Sequence, residues 1–233
     1  MLRPVVHELA LTDRVREAIL EAIVDGSLRP GERLAQIQIA ESLGVSRQPV
    51  SHALSVLKEQ GIVVELGRKG LTVAPMEGEH VRQLYQVRGA LDALAARLAA
   101  RRVASGDLPK DELDTLATSV HEQHLVGASA GHVDADIAFH RAIYALSGNP
   151  VLEELARPHW VQFRRCMLTV IENDAIRAEV WSEHAQILSA IISGDAQRAA
   201  AGAEQHTFRA GESSAARVNH RNNNPPPVEE NDS

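Results

Sequence analysis

Apolar residues between Val50 and Leu57 recur at i, i+3, i+4 and i+7, as Val50, Ala53, Leu54 and Leu57. That spacing predicts a helix with one buried stripe. Arg47, Gln48, Ser51, His52 and Ser55 fall on its other side, and each has a side chain able to hydrogen-bond. Ahead of it, Gln36–Leu43 predicts a shorter helix, and Gly44 stands where a helix C-terminus favours left-handed backbone. Ser46 is placed to cap the second helix through its hydroxyl. Pro49 falls in the first turn, where a missing N–H costs little. A helix with an apolar back and a polar face, presented after a tight turn, suits a helix that reads DNA.

The flanking patterns extend this unit. Thr12 or Asp13 is expected to cap an earlier helix carrying Val15, Ala18, Ile19, Ala22 and Ile23, ended by Gly26 and the turn Arg29-Pro30-Gly31. Ile62–Leu66 and Leu71–Ala74 are β-prone and joined by Gly67-Arg68-Lys69-Gly70. Three helices and this hairpin predict a winged helix-turn-helix over residues 8–75. Arg68, Lys69 and Gly70 at the wing tip would reach phosphates or a minor groove.

Residues 76–80 read as a linker. From 81 to 218 only helical periodicity is found. Leu84, Val87, Leu91, Leu94, Ala95 and Leu98 run along one long helix that ends near Ser105-Gly106. Pro109 opens another, through Leu113, Leu116, Ala117 and Val120, and a third spans roughly Val133 to Leu146. Later helices carry Leu152, Leu155 and Phe163, then Trp181 to Ile192, and Asp195 caps a last one reaching about Val218. The predicted fold is therefore mainly α: a winged head followed by an all-α bundle. The tail, 219–233, with Asn222-Asn223-Asn224-Pro225-Pro226-Pro227, is expected to be disordered.

Composition sharpens the picture. Aromatics are 3% of 233 residues while hydrophobic residues are 44%, so alanine and leucine must do the packing, which favours helices. No apolar run approaches the ~20 residues of a membrane span, and the N-terminus has no signal-peptide core. The single cysteine, Cys166, excludes an internal disulfide or a thiolate cluster, and a reducing cytoplasm is the expected address. A net charge of −7 at first argues against nucleic acid. Residues 1–75, however, hold nine basic and nine acidic side chains, and the remainder holds fifteen and twenty-two. The acidity thus lies outside the reading head, where Arg47, Lys58, Arg68 and Lys69 are expected to form a local basic face.

A second constellation lies in the bundle. Asp136 and His140 are four apart, hence on one helix face. His184 shares a stripe with Ile187, Leu188 and Ile191, and His206 one with Ala199, Gly202 and Ala203. Burying a carboxylate and three imidazoles is costly unless something pairs them, and a divalent cation would. The donor set suits zinc, with nickel or manganese as alternatives. On periodicity alone, hydrogen-bonded core histidines stand as an equal reading. His121 and His124, three apart, read as a solvated face.

Together these residues resemble the GntR superfamily of bacterial regulators, in its FadR-type branch with an FCD effector domain. Leu34 to Leu57, with Ala40, Leu43-Gly44-Val45-Ser46-Arg47 and Pro49-Val50, resembles the family's reading head. Leu84-Tyr85-Gln86-Val87-Arg88, Leu91-Asp92, Asp136-Ile137-Ala138-Phe139-His140, Ser147-Gly148-Asn149, Glu183-His184 and Gly194-Asp195 resemble the effector domain. The resemblance implies a homodimer on a two-fold-symmetric DNA operator and a metal, often zinc, at Asp136, His140, His184 and His206. DNA contacts are expected from Ser46, Arg47, Gln48, Ser51 and His52. The expected ligand is a small organic acid completing an open metal position, with Arg88 as its charge partner. An ion pair of Arg88 with Asp92 is the competing role.

The chain departs from the family at Ile37, where arginine is usual, and at Ser51-His52, where Arg-Glu is usual. Each good bidentate base contact is worth ~1–3 kcal/mol of discrimination, so the operator should differ from the family's common one or be bound more weakly. Two rivals remain: a metal-dependent hydrolase built on the bundle, and a purely structural metal.

Overall fold

The computed structural model describes residues 6–67, 70–108, 110–123, 129–168 and 174–224. The chain divides into two compact units, Met1–Met76 and Glu77–Ser233.

In the first unit, α1 (Val6–Val24), α2 (Gln36–Leu43) and α3 (Arg47–Glu59) precede a hairpin of β1 (Val63–Glu65) and β2 (Leu71–Val73). α1 begins before the expected caps. Thr12 and Asp13 lie inside it, because nothing in His7–Leu11 breaks a helix and Asp13 pairs with Arg16 at 3.0 Å. Val15, Ile19 and Ile23 of α1 are buried, as are Val50, Ala53, Leu54 and Leu57 of α3, and the two helices pack together. Each of the valines, leucines and isoleucines among them contributes about 1.5–3 kcal/mol when buried. Gly44 closes α2 with φ +64°, a left-handed backbone that a side chain would strain. Ser46 occupies the cap position of α3, but its hydroxyl makes no capping bond and the residue is exposed.

The strands pair antiparallel, Val63 with Val73 and Glu65 with Leu71. Residues 31–34 add a third edge that the sequence does not announce. Gly31 donates to Val73 O at 2.8 Å, Val73 to Glu32 O at 3.0 Å and Leu34 to Leu71 O at 2.8 Å. The segment lacks β-branched residues, so only its docking on β2 makes it extended. Arg68 and Lys69 of the wing tip lie outside the described residues.

The second unit is helical: α4 (Gly78–Ser105), α5 (Lys110–Gln123), α6 (Ser129–Leu146), α7 (Pro150–Ala156), α8 (Trp160–Leu168), α9 (Asp174–Ile192) and α10 (Ala196–Asn223). Gly78, Glu79 and His80, expected in the linker, already form the first turn of α4, where Glu79 suits the positive end of the helix dipole. α10 continues five residues past Val218, since no breaker intervenes before the proline run. Asp195 caps it, its carboxylate accepting from Arg198 N at 3.0 Å. Of the expected disordered tail, 225–233 lies outside the described residues.

α4 and α10 run side by side, in contact along much of their lengths. Small residues permit this: a Cβ on Gly211 would fall 2.6 Å from Tyr85 Cβ. The face that α4 buries is not the expected one. Val81, Tyr85, Arg88, Asp92, Ala96 and Ala99 turn inward, whereas Val87 is 62% and Leu94 37% exposed and Leu84, Leu91 and Leu98 are half-buried. Ala95 alone of the expected stripe is fully buried. Two adjacent stripes compete on this helix, and the polar partners available to Arg88 and Asp92 decide which goes inside.

Candidate metal centre and DNA-reading face

Three helices converge on one buried site. α6 supplies Asp136 and, one turn on, His140; α9 supplies His184 and α10 supplies His206. One donor atom from each lies within 4.8 Å of all the others. His184 Nε2 is 3.2 Å from His206 Nε2 and 3.4 Å from Asp136 Oδ1, and His140 Nε2 is 3.8 Å from Asp136 Oδ2. A tetrahedral ion bonded at zinc distances sets its donors about 3.4 Å apart, so these spacings fit one ion. All four side chains are buried, His184 completely.

Neighbouring groups set the imidazoles for coordination. His206 Nδ1 is 2.6 Å from Glu183 Oε2, and His140 Nδ1 is 3.2 Å from Asp92 Oδ2. With the proton held on Nδ1, each ring offers the lone pair of Nε2. His140 Nε2 has no hydrogen-bond partner, which is the orphaned buried donor a metal would satisfy. Phe139 stacks on His184 at 4.0 Å between centroids and Trp181 meets it edge-on at 4.9 Å, which excludes water. Burial, reinforced by His206, His140 and Arg88, holds His184 well below the ordinary histidine range. Burial and Arg88 also lower His140. Neutral imidazoles are the form that binds metal.

Arg88 of α4 lies at the edge of the cluster, 2% exposed. Its Nε is 3.4 Å from Asp92 and its Nη2 3.8 Å from Asp136. Tyr85, Trp160 and Phe163 surround the guanidinium at 5.4, 5.6 and 5.1 Å. Arg88 thus pairs with Asp92, the competing role, and it also lines a cavity. That cavity, about 250 Å³, has Arg88, Asp136 and His206 on its polar side and Tyr85, Met167 and Phe208 on its apolar side. Burial alone would raise Asp92, yet His140 and Arg88 outweigh it and hold the carboxyl below its usual range. Tyr144 and Thr207 donate to its two oxygens at 2.6 and 2.7 Å.

Sequence reasoning gave Asp92 only as a pairing partner for Arg88, not as a hub, and assigned no role to Glu183. The available signals were slight: Glu183 adjoins His184, and Asp92 lies one turn from Arg88. His121 is exposed on α5, and His124 lies outside the described residues.

On α3 of the first unit, Arg47, Gln48, His52 and Ser55 are exposed and Ser51 is half-buried, all opposite the buried stripe. Lys58, expected in the basic face, instead bonds Glu65 at 2.6 Å. Both partners are largely exposed, so the pair is weak and a phosphate could replace the carboxylate. Gly70 closes the hairpin, accepting from Leu66 N at 2.9 Å. Ile37 is 53% exposed on the first turn of α2.

Residues 83–209 match the FCD domain, and residues 11–73 match the bacterial regulatory proteins of the gntR family. The chain is 31% identical over 137 residues to an HTH-type transcriptional regulator from the TAR-I ttuE–ttuC' intergenic region of Agrobacterium vitis, covering 55% of this chain and 75% of that one. It is 29% identical over 213 residues to the Uxu operon transcriptional regulator of Escherichia coli, covering 81% and 80%. A crystal structure of a GntR transcriptional regulator from Rhodococcus sp. RHA1 superposes with a TM-score of 0.68 at 25% identity, covering 91% of this chain and 98% of that one.

Proposed function

The chain belongs to the GntR family of bacterial regulatory proteins and carries an FCD domain, and on that premise we propose that it is a metabolite-controlled repressor. It is a transcriptional regulator and not an enzyme, as its relatives are, which sets aside the hydrolase reading.

In the proposed mechanism a homodimer places two reading heads on a two-fold operator. Arg47, Gln48, Ser51 and His52 face base edges. Ser46 and the wing residues Arg68, Lys69 and Gly70 contact backbone phosphates. Asp136, His140, His184 and His206 hold a divalent ion, for which zinc fits best and nickel or manganese also serve. When bound, the ion would supply a Lewis-acidic position for a carboxylate by expanding beyond its four protein donors. Arg88 stands beside it as a fixed cation, its charge kept by Asp92 and Asp136 despite burial. The apolar wall of Tyr85, Met167 and Phe208 excludes water from the ligand. A small organic acid in this cavity regulates if one dimer geometry binds it better, by typically 1–3 kcal/mol of coupling.

The observation that carries this reading is the convergence of four buried donors within 4.8 Å next to a cavity containing Arg88. Its test is selection of bound duplexes from a random pool by the metal-loaded protein, followed by citrate and sugar-acid titration of the selected complex. The expected result is a two-fold motif, released by one of the acids. A folded, metal-loaded protein that enriches no motif at low salt refutes the regulator mechanism. A motif whose affinity no acid changes refutes the carboxylate clause.

A further inference from the structure

Among the described residues of the first unit, the large apolar side chains turned to solvent are Leu11, Ile37, Leu43 and Leu66. Ile37 is the most exposed of them and stands on the first turn of α2, between Gln36 and Gln38. The strand edge leading into α2 fixes where that turn lies. Arg33 bridges Thr72, and Leu34 donates to Leu71 O at 2.8 Å. The edge therefore runs antiparallel to β2, toward the end of the hairpin that Leu66 and Gly70 close. Ile37 follows Leu34 by three residues, so its Cα is within roughly 11 Å of that end of the sheet. It thus lies at the wing-tip end of the head, beside α3, against which α2 packs. Charge marks the same turn. Glu41 is the only charged residue of α2 and lies in its later half. The neutral first turn can approach a polyanion, whereas the later turn is repelled.

We infer that Ile37 is a specificity-determining residue of the reading head, packing on the 5-methyl group of one thymine in each operator half-site. The inference rests on the DNA-binding clause of the proposed function and extends it from α3 to α2. In a helix-turn-helix the second helix lies in the major groove while the first crosses the backbone. The turn of α2 nearest the wing then meets the groove beside the bases that α3 reads. Isoleucine neither donates nor accepts a hydrogen bond. The one apolar group that a base presents in the major groove is the thymine methyl. Adenine, guanine and cytosine offer donors or acceptors there, and an aliphatic side chain would desolvate these without pairing them, which costs affinity. Ile37 therefore selects thymine both by what it covers and by what it cannot satisfy. Burying one methyl group is worth about fourfold in affinity.

The test begins with a duplex selected from a random pool by the full-length, metal-loaded wild type. That duplex is remade with deoxyuridine replacing each thymine in turn. Deoxyuridine keeps every hydrogen-bonding group of thymine and lacks only the methyl. Affinities are measured for wild type, Ile37→Ala and Leu43→Ala. In wild type at least one position per half-site should weaken binding about fourfold, and changing it in both half-sites should weaken binding about 15-fold. Alanine stops short of the methyl, so in Ile37→Ala the same replacement should matter by less than about 1.5-fold. Leu43→Ala truncates an exposed leucine at the other end of α2, about 9 Å away, and should keep the full penalty. Comparing the penalty between proteins cancels any effect of the methyl on the duplex itself. Both side chains are exposed, so circular dichroism and melting of the two variants should match wild type. A wild type indifferent to deoxyuridine, or an equal penalty in wild type and Ile37→Ala, overturns the inference and leaves the regulator reading standing. Loss of the penalty in Leu43→Ala overturns it as well. A folded, metal-loaded wild type that enriches no motif overturns it together with the DNA-binding clause.

Discussion

Glu183→Gln separates orientation of a metal ligand from mere packing. Glu183 is nearly buried, and its carboxylate bridges His206 Nδ1 at 2.6 Å and Arg209 at 2.7 Å. Glutamine keeps the shape and removes the charge that holds the imidazole proton on Nδ1. Loss of such a partner commonly costs 10–100-fold in metal affinity, about 1.4–2.7 kcal/mol. At saturating metal the same amount disappears from the stabilisation that the ion confers. For a unit of this size each kcal/mol is about 2–4 °C, so the metal-induced rise in Tm should shrink by roughly 3–11 °C. The chelator-treated variant should melt within a few degrees of wild type. Arg209 is 48% exposed, which limits its pair with Glu183 to about 0–1 kcal/mol. The assay is competition for zinc with a chromophoric chelator, alongside melts with and without metal. A zinc affinity within threefold of wild type, with equal Tm losses in both melts, would refute the orienting role.

Three further outcomes follow from the same geometry. Arg88→Met strips Asp92 and Asp136 of their buried cation and should lower stability by about 3–5 kcal/mol in urea melts; an undiminished midpoint contradicts the pairing. Gly211→Ala drives a methyl into Tyr85 and should cost about 1–3 kcal/mol by forcing α4 and α10 apart; calorimetry showing a neutral or stabilising change rejects that close approach. Metal-free protein should lose stability as pH falls below about 6.5. The imidazoles of His140 and His184 are held below that ordinary value in the fold, so the unfolded chain takes up more protons there. Their contribution is complete above the unfolded value and is lost as acid protonates them. Chelator-treated urea melts at pH 8, 7, 6 and 5 check the sign, and a midpoint that rises toward pH 5 contradicts it.

Periodicity of side chains along single segments was enough for much of this protein. The stripe Val50-Ala53-Leu54-Leu57 fixes which side of α3 goes inside, because a helix buries its one apolar face. Gly44 and Pro49 mark turn and first turn because their backbones allow little else. The four-residue step from Asp136 to His140 puts both on one face wherever that helix sits. Such rules are local, and the sequence carries them in full. Questions about what a face meets are different. Two stripes on α4 compete for the core, and the one with an arginine and an aspartate goes inside, since Tyr144, Thr207, His140 and an aromatic cage await them. Residues 31–34 become a strand edge because β2 has free groups to pair, and Glu183 becomes the partner of His206 because α9 and α10 run close. Convergence of Asp136, His140, His184 and His206 is likewise a property of three helices together. The sequence therefore determined the elements and the donors they present, whereas tertiary packing decided which stripe is core and which groups orient the ligands. The reason is that helical phase is set by neighbours in the chain, while burial, pairing and pKa depend on groups brought together from distant positions.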